Sequence, residues 1–402
     1  MQKIIFLHNN YEPEHFLKTP DTEDRFYTYG FGSFFARNLK HYYPEYDVEM
    51  WRLDSFIKQY YRKCVQNVQF RIFPSKNIFK LGDFSNILIK ELRAEVEKND
   101  PILFVSHIHT WLLYQIAYHF PSSRIIASHH GDWSPFFRLK QRSGLRIIKD
   151  IVDVLIEKLV LKNVDYFLVC DKREFPYIKK AAPDSKYVLY NPSIDLERMV
   201  PIPKSDARTT LGWDNNKKYI LYVGKLYKYK QTYELINIWK EIKKIRPETE
   251  IVIIGNSKND RFYDLAIKSG AIVIGRILNS ELNKYYSASD VYVLVALRED
   301  YFGCIGRAPL ESLACNTPVV SYSLHNYTGD NLHEIGEIPA TLDEYKESIL
   351  KVLENPYRYH NMRENIIIHY SYKASADKIA EVINEFESIT KNDSIKKHNY
   401  VD

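Results

Sequence analysis

The stretch Glu-Asp-Tyr-Phe-Gly-Cys-Ile-Gly-Arg-Ala-Pro-Leu-Glu-Ser-Leu-Ala-Cys-Asn-Thr-Pro-Val-Val-Ser, residues 299–321, carries the strongest structural signal in this chain. It predicts a loop with Gly303 and Gly306 that runs into a short helix at Pro309, a residue suited to the first helical position. Glu311 is then expected in the first helical turn, beside the positive end of the helix dipole. A glycine loop that meets a helix N-terminus can hold a phosphate through its backbone N–H groups.

The same stretch predicts how the helix ends and what it binds. Asn316 can adopt the left-handed conformation that ends a helix, and Pro318-Val319-Val320 begins a strand. A carboxylate at Glu311 can accept hydrogen bonds from a ribose diol while the loop holds a diphosphate. The stretch therefore predicts a nucleotide-sugar site.

Residues 310–320, Leu-Glu-Ser-Leu-Ala-Cys-Asn-Thr-Pro-Val-Val, resemble the donor-site segment of the retaining GT-B glycosyltransferases of family 4. That family has a glutamate, seven residues, a second glutamate, and a helix of the form Leu-Glu-Ala-Met-Ala-Cys-Gly-x-Pro-Val-Val. Glu311 takes the place of the second glutamate, which in the family binds the nucleotide ribose, and Asn316 replaces the glycine. Gly303 stands where the family has its first glutamate, which contacts the donor sugar.

The absence of that first glutamate leaves two interpretations open. The resemblance implies that the loop Gly303-Cys304-Ile305 still lies against the donor, and a rearranged loop would let Glu299 or Asp300 reach the sugar. Alternatively, the chain is a catalytically silent subunit that has kept a nucleotide-sugar pocket.

The whole chain has 402 residues, enough for two domains that each bury a core. Hydrophobic residues make up 45%, charged residues 27%, and the net charge is +5, a balance that does not argue for nucleic acid. Four widely spaced cysteines, the lack of a signal-peptide pattern and the lack of a membrane-spanning stretch predict a cytoplasmic protein, at most peripheral to the inner face of the membrane.

Short apolar runs alternate with helix-length amphipathic segments, the pattern of a parallel α/β sheet. The resemblance implies the GT-B architecture, two doubly wound Rossmann-like domains that face each other across a cleft. We place an acceptor-binding domain at 1–200, a nucleotide-sugar domain at 201–373, and a crossover helix with a flexible tail at 374–402. Acceptor choice is expected to depend on two N-terminal segments read as loops, 9–28 and 60–83.

Two further segments are expected to hold the donor. Lys225 and Lys230 follow a predicted strand and Gly224, and in the resembled family two cations at this spacing contact the donor diphosphate. Fixed ammonium groups favour the charge that develops on a departing diphosphate, so the site is expected to need no metal. Gly30 and Gly32 match a glycine pair that lets the backbone approach the donor, since a Cβ would block that approach.

Histidines follow two predicted strands of the first half, as Ser106-His107-Ile108-His109 and His129-His130-Gly131-Asp132. By resemblance to the family's His-Ala-His and His-Gly segments, His130 is expected near the donor sugar and the acceptor, where an imidazole can position the reacting groups. His107 and His129 are read as structural residues with backbone partners. Zinc is the alternative, but in the sequence no cysteine or carboxylate completes an obvious ligand set.

Three remaining features complete the predicted site and its surroundings. The Ile277 backbone is expected where the family hydrogen-bonds the nucleotide base, and Asp290 is read as a structural cap or turn residue. The basic segment 136–163 is either a core-packing helix with a solvated face or a membrane-docking surface.

The sequence thus predicts a hexosyltransferase-type, retaining and metal-independent glycosyltransferase. Its donor would be a nucleoside-diphosphate sugar, and its acceptor a glycan, a lipid-linked molecule or a small molecule. The alternatives are the silent binding subunit, and a sugar-nucleotide epimerase or phosphorylase of the same architecture.

Overall fold

The computed structural model describes residues 2–9, 31–78, 82–131, 133–141, 144, 146–190, 192–224, 232–255, 263–297 and 303–398. The chain divides into two compact units. One unit comprises Met1–Tyr190 and Ser375–Asp402, and the other comprises Asn191–Ala374. The last helix, Tyr372–His398, begins in the second unit and belongs to the first from Ser375 onward.

The first unit contains an eight-stranded sheet in the order β10-β9-β8-β7-β1-β2-β4-β3 and a separate pair β5-β6. All neighbours in the large sheet are parallel except β3, which is antiparallel to β4. Strand β1 is a continuous apolar run because both faces of a parallel sheet are buried. The strands are β1 Lys3–His8, β2 Asp47–Asp54, β3 Tyr61–Val65, β4 Val68–Pro74, β5 Lys76–Ile78, β6 Gly82–Phe84, β7 Ile102–Ser106, β8 Ile125–Ser128, β9 Tyr166–Val169 and β10 Lys186–Leu189.

Strands β3 and β4 correct the sequence prediction, which read residues 60–83 as an acceptor loop. The two strands form a hairpin joined by Gln66 and Asn67, both of which have positive φ, 49° and 62°. Such a two-residue turn matches the right-handed twist of the strands. The usual Asn-Gly signal is absent, so the hairpin was missed.

Within the described residues up to Tyr190, the first unit has six α-helices. Two begin at side-chain caps, where Ser85 Oγ accepts a hydrogen bond from the Leu88 backbone N–H and Thr110 Oγ1 accepts one from Leu113. The helices are α1 Phe31–Tyr42, α2 Asn86–Asn99, α3 Trp111–His119, α4 Pro135–Gln141, α5 Arg146–Val160 and α6 Phe175–Ala181.

The second unit contains a six-stranded sheet, entirely parallel, in the order β13-β12-β11-β14-β15-β16. Large aromatic side chains such as Tyr222, Trp239 and Tyr286 are fully buried in its core. The strands are β11 Lys218–Val223, β12 Thr249–Ile254, β13 Ile272–Ile274, β14 Val291–Val293, β15 Val319–Val320 and β16 Gly336–Glu337. The helices are α7 Lys204–Leu211, α8 Thr232–Ile245, α9 Tyr263–Lys268, α10 Leu282–Ala288, α11 Arg307–Ala314, α12 Leu332–Ile335, α13 Leu342–Glu354, α14 Met362–Tyr370 and α15 Tyr372–His398.

Both units therefore have the α/β organisation that the sequence predicts. Because the strands of each sheet are almost all parallel, their carboxyl ends meet at one edge, where ligands bind in open α/β sheets. Among the helices described here, none combines the length and the apolar content that crossing a bilayer requires.

Candidate active site

Helix α11 carries Glu311 and begins earlier than predicted. It starts at Arg307, directly after Gly306, whose φ of 90° turns the chain into the helix. Pro309 is therefore the third helical residue, and Glu311 lies beyond the first turn, which contains no acidic residue. The predicted start at Pro309 is wrong because the glycine itself provides the turn.

The Glu311 carboxyl group is buried and is hydrogen-bonded by two neutral side chains. Asn279 Nδ2 donates to Oε1 at 3.1 Å, and the Tyr286 hydroxyl donates to Oε2 at 3.0 Å. Burial raises the pKa of Glu311 above its usual value, and these two hydrogen bonds and Arg307 oppose the rise. Since a carboxylate offers about four acceptor positions, each oxygen can accept a further hydrogen bond from a ligand.

The end of α11 supports the same carboxyl group. Asn316 has a φ of 57°, which confirms the predicted left-handed end of the helix. The Thr317 hydroxyl donates to the backbone oxygen of Tyr286 at 2.6 Å, and the Ser312 hydroxyl donates to that of Thr317 at 3.0 Å. These contacts tie α11 to α10, the helix that carries the Tyr286 hydroxyl.

The loop before α11 is held by side chains from the segment after β15. Asn326 Nδ2 donates to the Gly303 backbone oxygen at 3.0 Å, and Ser323 Oγ donates to that of Ile305 at 3.0 Å. Gly303 has a φ of 148°, a conformation that residues with a side chain rarely adopt. The Ile305 side chain is buried in the core, whereas Cys304 is half-buried.

The segment after β13 contributes a residue that the sequence analysis missed. Ile277, predicted at the nucleotide base, is half-buried and packs against the core. Two residues later, Asn279 reaches Glu311, so the segment and α11 meet at this carboxyl group. A lone asparagine in a loop carries no sequence signal for this role.

Several predicted donor contacts fall on segments that the structure does not describe. Lys225, Lys230 and Gly30 lie outside the described residues, as do Glu299 and Asp300. The lysines follow Gly224, which comes directly after β11 and has a φ of 145°. Gly32 is the second residue of α1.

His130 lies at the carboxyl edge of the first unit's sheet. Its Nε2 is 2.8 Å from Ser128 Oγ, at the end of β8. The centroid of its ring is 4.8 Å from that of His107 and 5.7 Å from that of Phe35. His107 itself has a φ of 75°. The prediction that His130 follows a strand end is thus confirmed, and its role stays a prediction.

A second histidine cluster lies beside the first and is buried. His109 Nδ1 is 2.7 Å from Glu157 Oε1, which also accepts a hydrogen bond from the Tyr114 hydroxyl at 2.6 Å. Burial lowers the pKa of His109, but Glu157 and Glu174 outweigh it and raise that pKa to about 10. His129 Nδ1 is 3.3 Å from the Cys170 sulfur.

Glu174 corrects the sequence argument against a metal ligand set. Its Oε1 lies 3.7 Å from His109 Nε2 and 4.0 Å from His129 Nε2. The expectation that no carboxylate completes the set is wrong because Glu174 is far from both histidines in sequence and comes close only in the fold.

Helix α5 places charge inward and apolar surface outward. Asp150 and Asp153 are buried and pair with Arg138 at 2.8 and 2.6 Å, and Glu157 is buried against His109. The outer face consists of five exposed aliphatic residues, namely Ile148, Ile151, Val152, Leu155 and Leu159. The predicted core packing is confirmed, since Val160 belongs to the core of the first unit and Ile156 packs against it, but the solvent-facing side is largely aliphatic.

Asp290 is buried like Glu311 but has charged partners. Its carboxylate accepts hydrogen bonds from Arg208 at 2.7 Å, from Lys204 at 3.1 Å and from the Tyr219 backbone N–H at 2.8 Å. These contacts tie α7 and β11 to the start of β14. The structural role predicted for Asp290 is confirmed.

Comparison with known protein families gives a match in the second half of the chain. The family described as Glycosyl transferases group 1 matches residues 203–369, which include Glu311 and both of its hydrogen-bond donors. Residues 203–369 are thus similar to the group 1 glycosyltransferases. The resemblance predicted from the α11 segment is thereby confirmed.

Two curated relatives extend the match. The D-inositol 3-phosphate glycosyltransferase of Thermobispora bispora is 24% identical over 268 residues, which cover 61% of this chain and 60% of the relative. The alpha-monoglucosyldiacylglycerol synthase of Acholeplasma laidlawii is 22% identical over 290 residues, which cover 69% and 64%. The match to such relatives spans about 60% of their length.

Solved structures show the same fold. The sucrose-phosphate synthase of Thermosynechococcus elongatus superposes with a TM-score of 0.69 at 16% identity, over 97% of this chain and 100% of that one. Anabaena HepE in complex with UDP-glucose gives 0.62 at 13% identity, over 96% and 100%. The predicted GT-B fold class is confirmed.

Proposed function

We propose that this protein transfers a glycosyl group from a nucleoside-diphosphate sugar to an acceptor, with retention at the anomeric carbon and without a metal at the donor. The observation that carries the proposal is the Glu311 carboxyl group. It is buried within the matched domain, held by two neutral donors, and keeps acceptor capacity on both oxygens. A ribose diol supplies the two hydroxyl donors that fit such a carboxylate.

The charge of the donor requires cations that α11 does not supply. We assign this role to Lys225 and Lys230, which follow the carboxyl end of β11. A leaving diphosphate gains negative charge as the sugar bond breaks, so fixed ammonium groups stabilise the transition state more than the ground state. The backbone at Ile277 is assigned to the base, next to Asn279.

His130, with the backbone of Gly30 and Gly32, is assigned to the sugar. The contact between its Nε2 and Ser128 fixes the ring orientation. In the retaining reaction the acceptor attacks the face from which the diphosphate leaves, and the diphosphate assists the removal of the acceptor proton. UDP-glucose is the first donor to test because Anabaena HepE binds it.

Turnover tests the reaction. The full chain is incubated with UDP-glucose and candidate acceptors, in the presence of EDTA, and the anomer of the product is read by NMR. Transfer with retention that falls at least about 100-fold in Lys225→Ala supports the proposal. Binding of UDP-glucose without transfer or hydrolysis supports the silent subunit, the alternative that Gly303 keeps open. Free glucose or glucose phosphate as the main product supports the sugar-nucleotide epimerase or phosphorylase.

A membrane-embedded acceptor is favoured by the outer face of α5. Monomeric proteins rarely leave a contiguous aliphatic face exposed, and Lys149, Lys158 and Lys162 flank this one with positive charge. An apolar face with basic neighbours fits the surface of an anionic bilayer. The Acholeplasma relative is named for a diacylglycerol product, which is consistent with a lipid acceptor.

Flotation with vesicles tests the membrane contact. The wild type is expected to float with phosphatidylglycerol vesicles and not with phosphatidylcholine vesicles. The double variant Ile151→Glu with Leu155→Glu is expected to stay in solution. The control Ile245→Glu, at an exposed residue of the second unit, is expected to float like the wild type. Equal flotation of the double variant and the wild type would contradict this role of α5.

A further inference from the structure

We propose that His109, His129 and Glu174 form a binding site for a divalent transition-metal ion of the Zn²⁺ class. The three residues follow strands β7, β8 and β9, which are neighbours in the sheet. Their ligand atoms all lie within 4.8 Å of one another. The site belongs to the first unit alone and does not depend on the proposed transfer reaction.

The spacing of these atoms fits an ion better than a hydrogen bond. Glu174 Oε1 lies 3.7 Å from His109 Nε2 and 4.0 Å from His129 Nε2, both too long for a direct hydrogen bond. Bonds of about 2.0–2.1 Å to a tetrahedral zinc ion place neighbouring ligand atoms about 3.4 Å apart. Contraction from separations of at most 4.8 Å would therefore close the three ligands on an ion.

Two polar atoms of these side chains lack hydrogen-bond partners, whereas Glu174 Oε1, the oxygen nearest both histidines, accepts a hydrogen bond from the Ser134 backbone N–H at 3.2 Å. Within the described part of the chain, His109 Nε2 and Glu174 Oε2 make no hydrogen bond, although the two side chains are only 2% and 0% exposed. Folded proteins rarely keep a buried polar atom unsatisfied without a ligand, an ion or a water beside it.

The opposite ring nitrogens of both histidines are already engaged. His109 Nδ1 contacts the Glu157 carboxylate and His129 Nδ1 contacts the Cys170 sulfur, and both Nε2 atoms lie within 4.0 Å of Glu174 Oε1. Histidines that bind a metal nearly always have such an outer partner on the other nitrogen, and a carboxylate is a common one. The outer contacts of a metal site are thus formed already.

The chemistry of the ligands and the buried charge select the ion. Two imidazole nitrogens and one carboxylate oxygen suit Zn²⁺, whereas Mg²⁺ and Ca²⁺ prefer oxygen ligands alone. Glu157 and Glu174 bring two buried negative charges into one cluster with His109. A divalent cation between neutral histidines balances both carboxylates. The ion would tie the turn after β7 to the segments after β8 and β9.

Metal binding by the full chain tests the site. The protein is stripped with a chelator, dialysed and titrated with Zn²⁺ by calorimetry, and the loaded protein is examined by X-ray absorption. We expect about one tightly bound ion per chain. The spectrum should show only nitrogen and oxygen ligands at about 2.0–2.1 Å, without a sulfur ligand at about 2.3 Å.

Matched variants identify the ligands. Glu174→Gln is expected to weaken Zn²⁺ binding at least about 100-fold and Glu157→Gln about 10–100-fold, while His119→Gln, at an exposed histidine of the same unit, leaves it unchanged. Circular dichroism checks that each variant folds. If a variant does not fold, the X-ray absorption spectrum of the zinc-loaded wild type tests the ligand set instead. A wild type that binds no Zn²⁺, a sulfur ligand in its spectrum, or unchanged affinity in a folded Glu174→Gln would overturn the proposal. Absence of binding would instead make His109 a proton-carrying bridge between two carboxylates.

Discussion

Two buried carboxyl groups of the second unit, Asp290 and Glu311, are equally shielded from solvent, each at 8% exposure, yet their surroundings differ in kind. Asp290 accepts hydrogen bonds from Arg208, Lys204 and a backbone N–H. The hydrogen bonds to Glu311 come from the neutral side chains of Asn279 and Tyr286.

The difference separates a structural carboxylate from one that is ready for a ligand. Charged partners compensate the burial of Asp290, so its contacts hold elements together. Glu311 has no such compensation among its hydrogen bonds, and burial raises its pKa. Ionisable groups with perturbed pKa values cluster at functional sites, and a nucleotide that donates two hydroxyl hydrogen bonds would supply further partners to Glu311.

The largest expected effect follows from removing the structural carboxylate. Asp290→Ala leaves the Arg208 guanidinium buried without its anion, and it is expected to lower the free energy of unfolding by about 3–5 kcal/mol. Urea denaturation followed by circular dichroism measures this loss. A loss no greater than that of Glu311→Gln, the matched change at the other carboxyl group, would erase the distinction between the two sites.

Glu311→Gln is expected to weaken nucleotide binding without lowering the free energy of unfolding. Hydrogen bonds to a charged group contribute about 1.5–3 kcal/mol, so the affinity for a nucleoside diphosphate should fall about 10–100-fold. The pKa of Glu311 is higher in the folded protein than its ordinary value of 4.5, which we take for the unfolded chain. The contribution of Glu311 to stability is therefore fully present below pH 4.5 and is lost as the pH rises through the folded pKa. At neutral pH the variant should therefore unfold at an equal or higher urea concentration than the wild type. A marked loss of stability would assign Glu311 a structural role.

Gly303 tests whether the missing first glutamate can be restored. With a φ of 148°, any side chain at this position is strained, and both Gly303→Ala and Gly303→Glu are expected to lose about 1–3 kcal/mol of stability. Gly303→Glu should then show no gain in UDP-glucose turnover over Gly303→Ala. A gain of activity in the glutamate variant alone would show that the loop can adopt the family's arrangement.

The smallest effect is expected from one of the neutral donors to Glu311. Tyr286→Phe removes a hydrogen bond that favours the ionised carboxylate, so the pKa of Glu311 rises further and donor affinity falls by about 1 kcal/mol. Affinity should decrease as pH falls through the pKa of Glu311, and this decrease should begin at a higher pH in the variant. Titration calorimetry across pH measures both, and superimposable profiles for the variant and the wild type would contradict the account.

The α/β organisation and the family of the second half follow from the sequence because residues 310–320 combine a helix end, a strand start and a glutamate at fixed spacing. The helix start was misplaced, since Gly306 and not Pro309 provides the turn. Asn279, Tyr286 and Glu174 were missed as site residues because each comes close to its partner only through the fold. Periodicity alone did not predict that three carboxylates of α5 are buried while five of its aliphatic residues are exposed.

Thermal unfolding of the full chain with UDP, GDP, ADP and their sugars, in EDTA, tests the nucleotide site most directly. A ligand at a hundred times its Kd stabilises a protein by about 2.7 kcal/mol. The account predicts a shift that is selective for one base, survives EDTA and is lost in Glu311→Gln. No shift with any nucleotide, or an equal shift in the Glu311 variant, would contradict it.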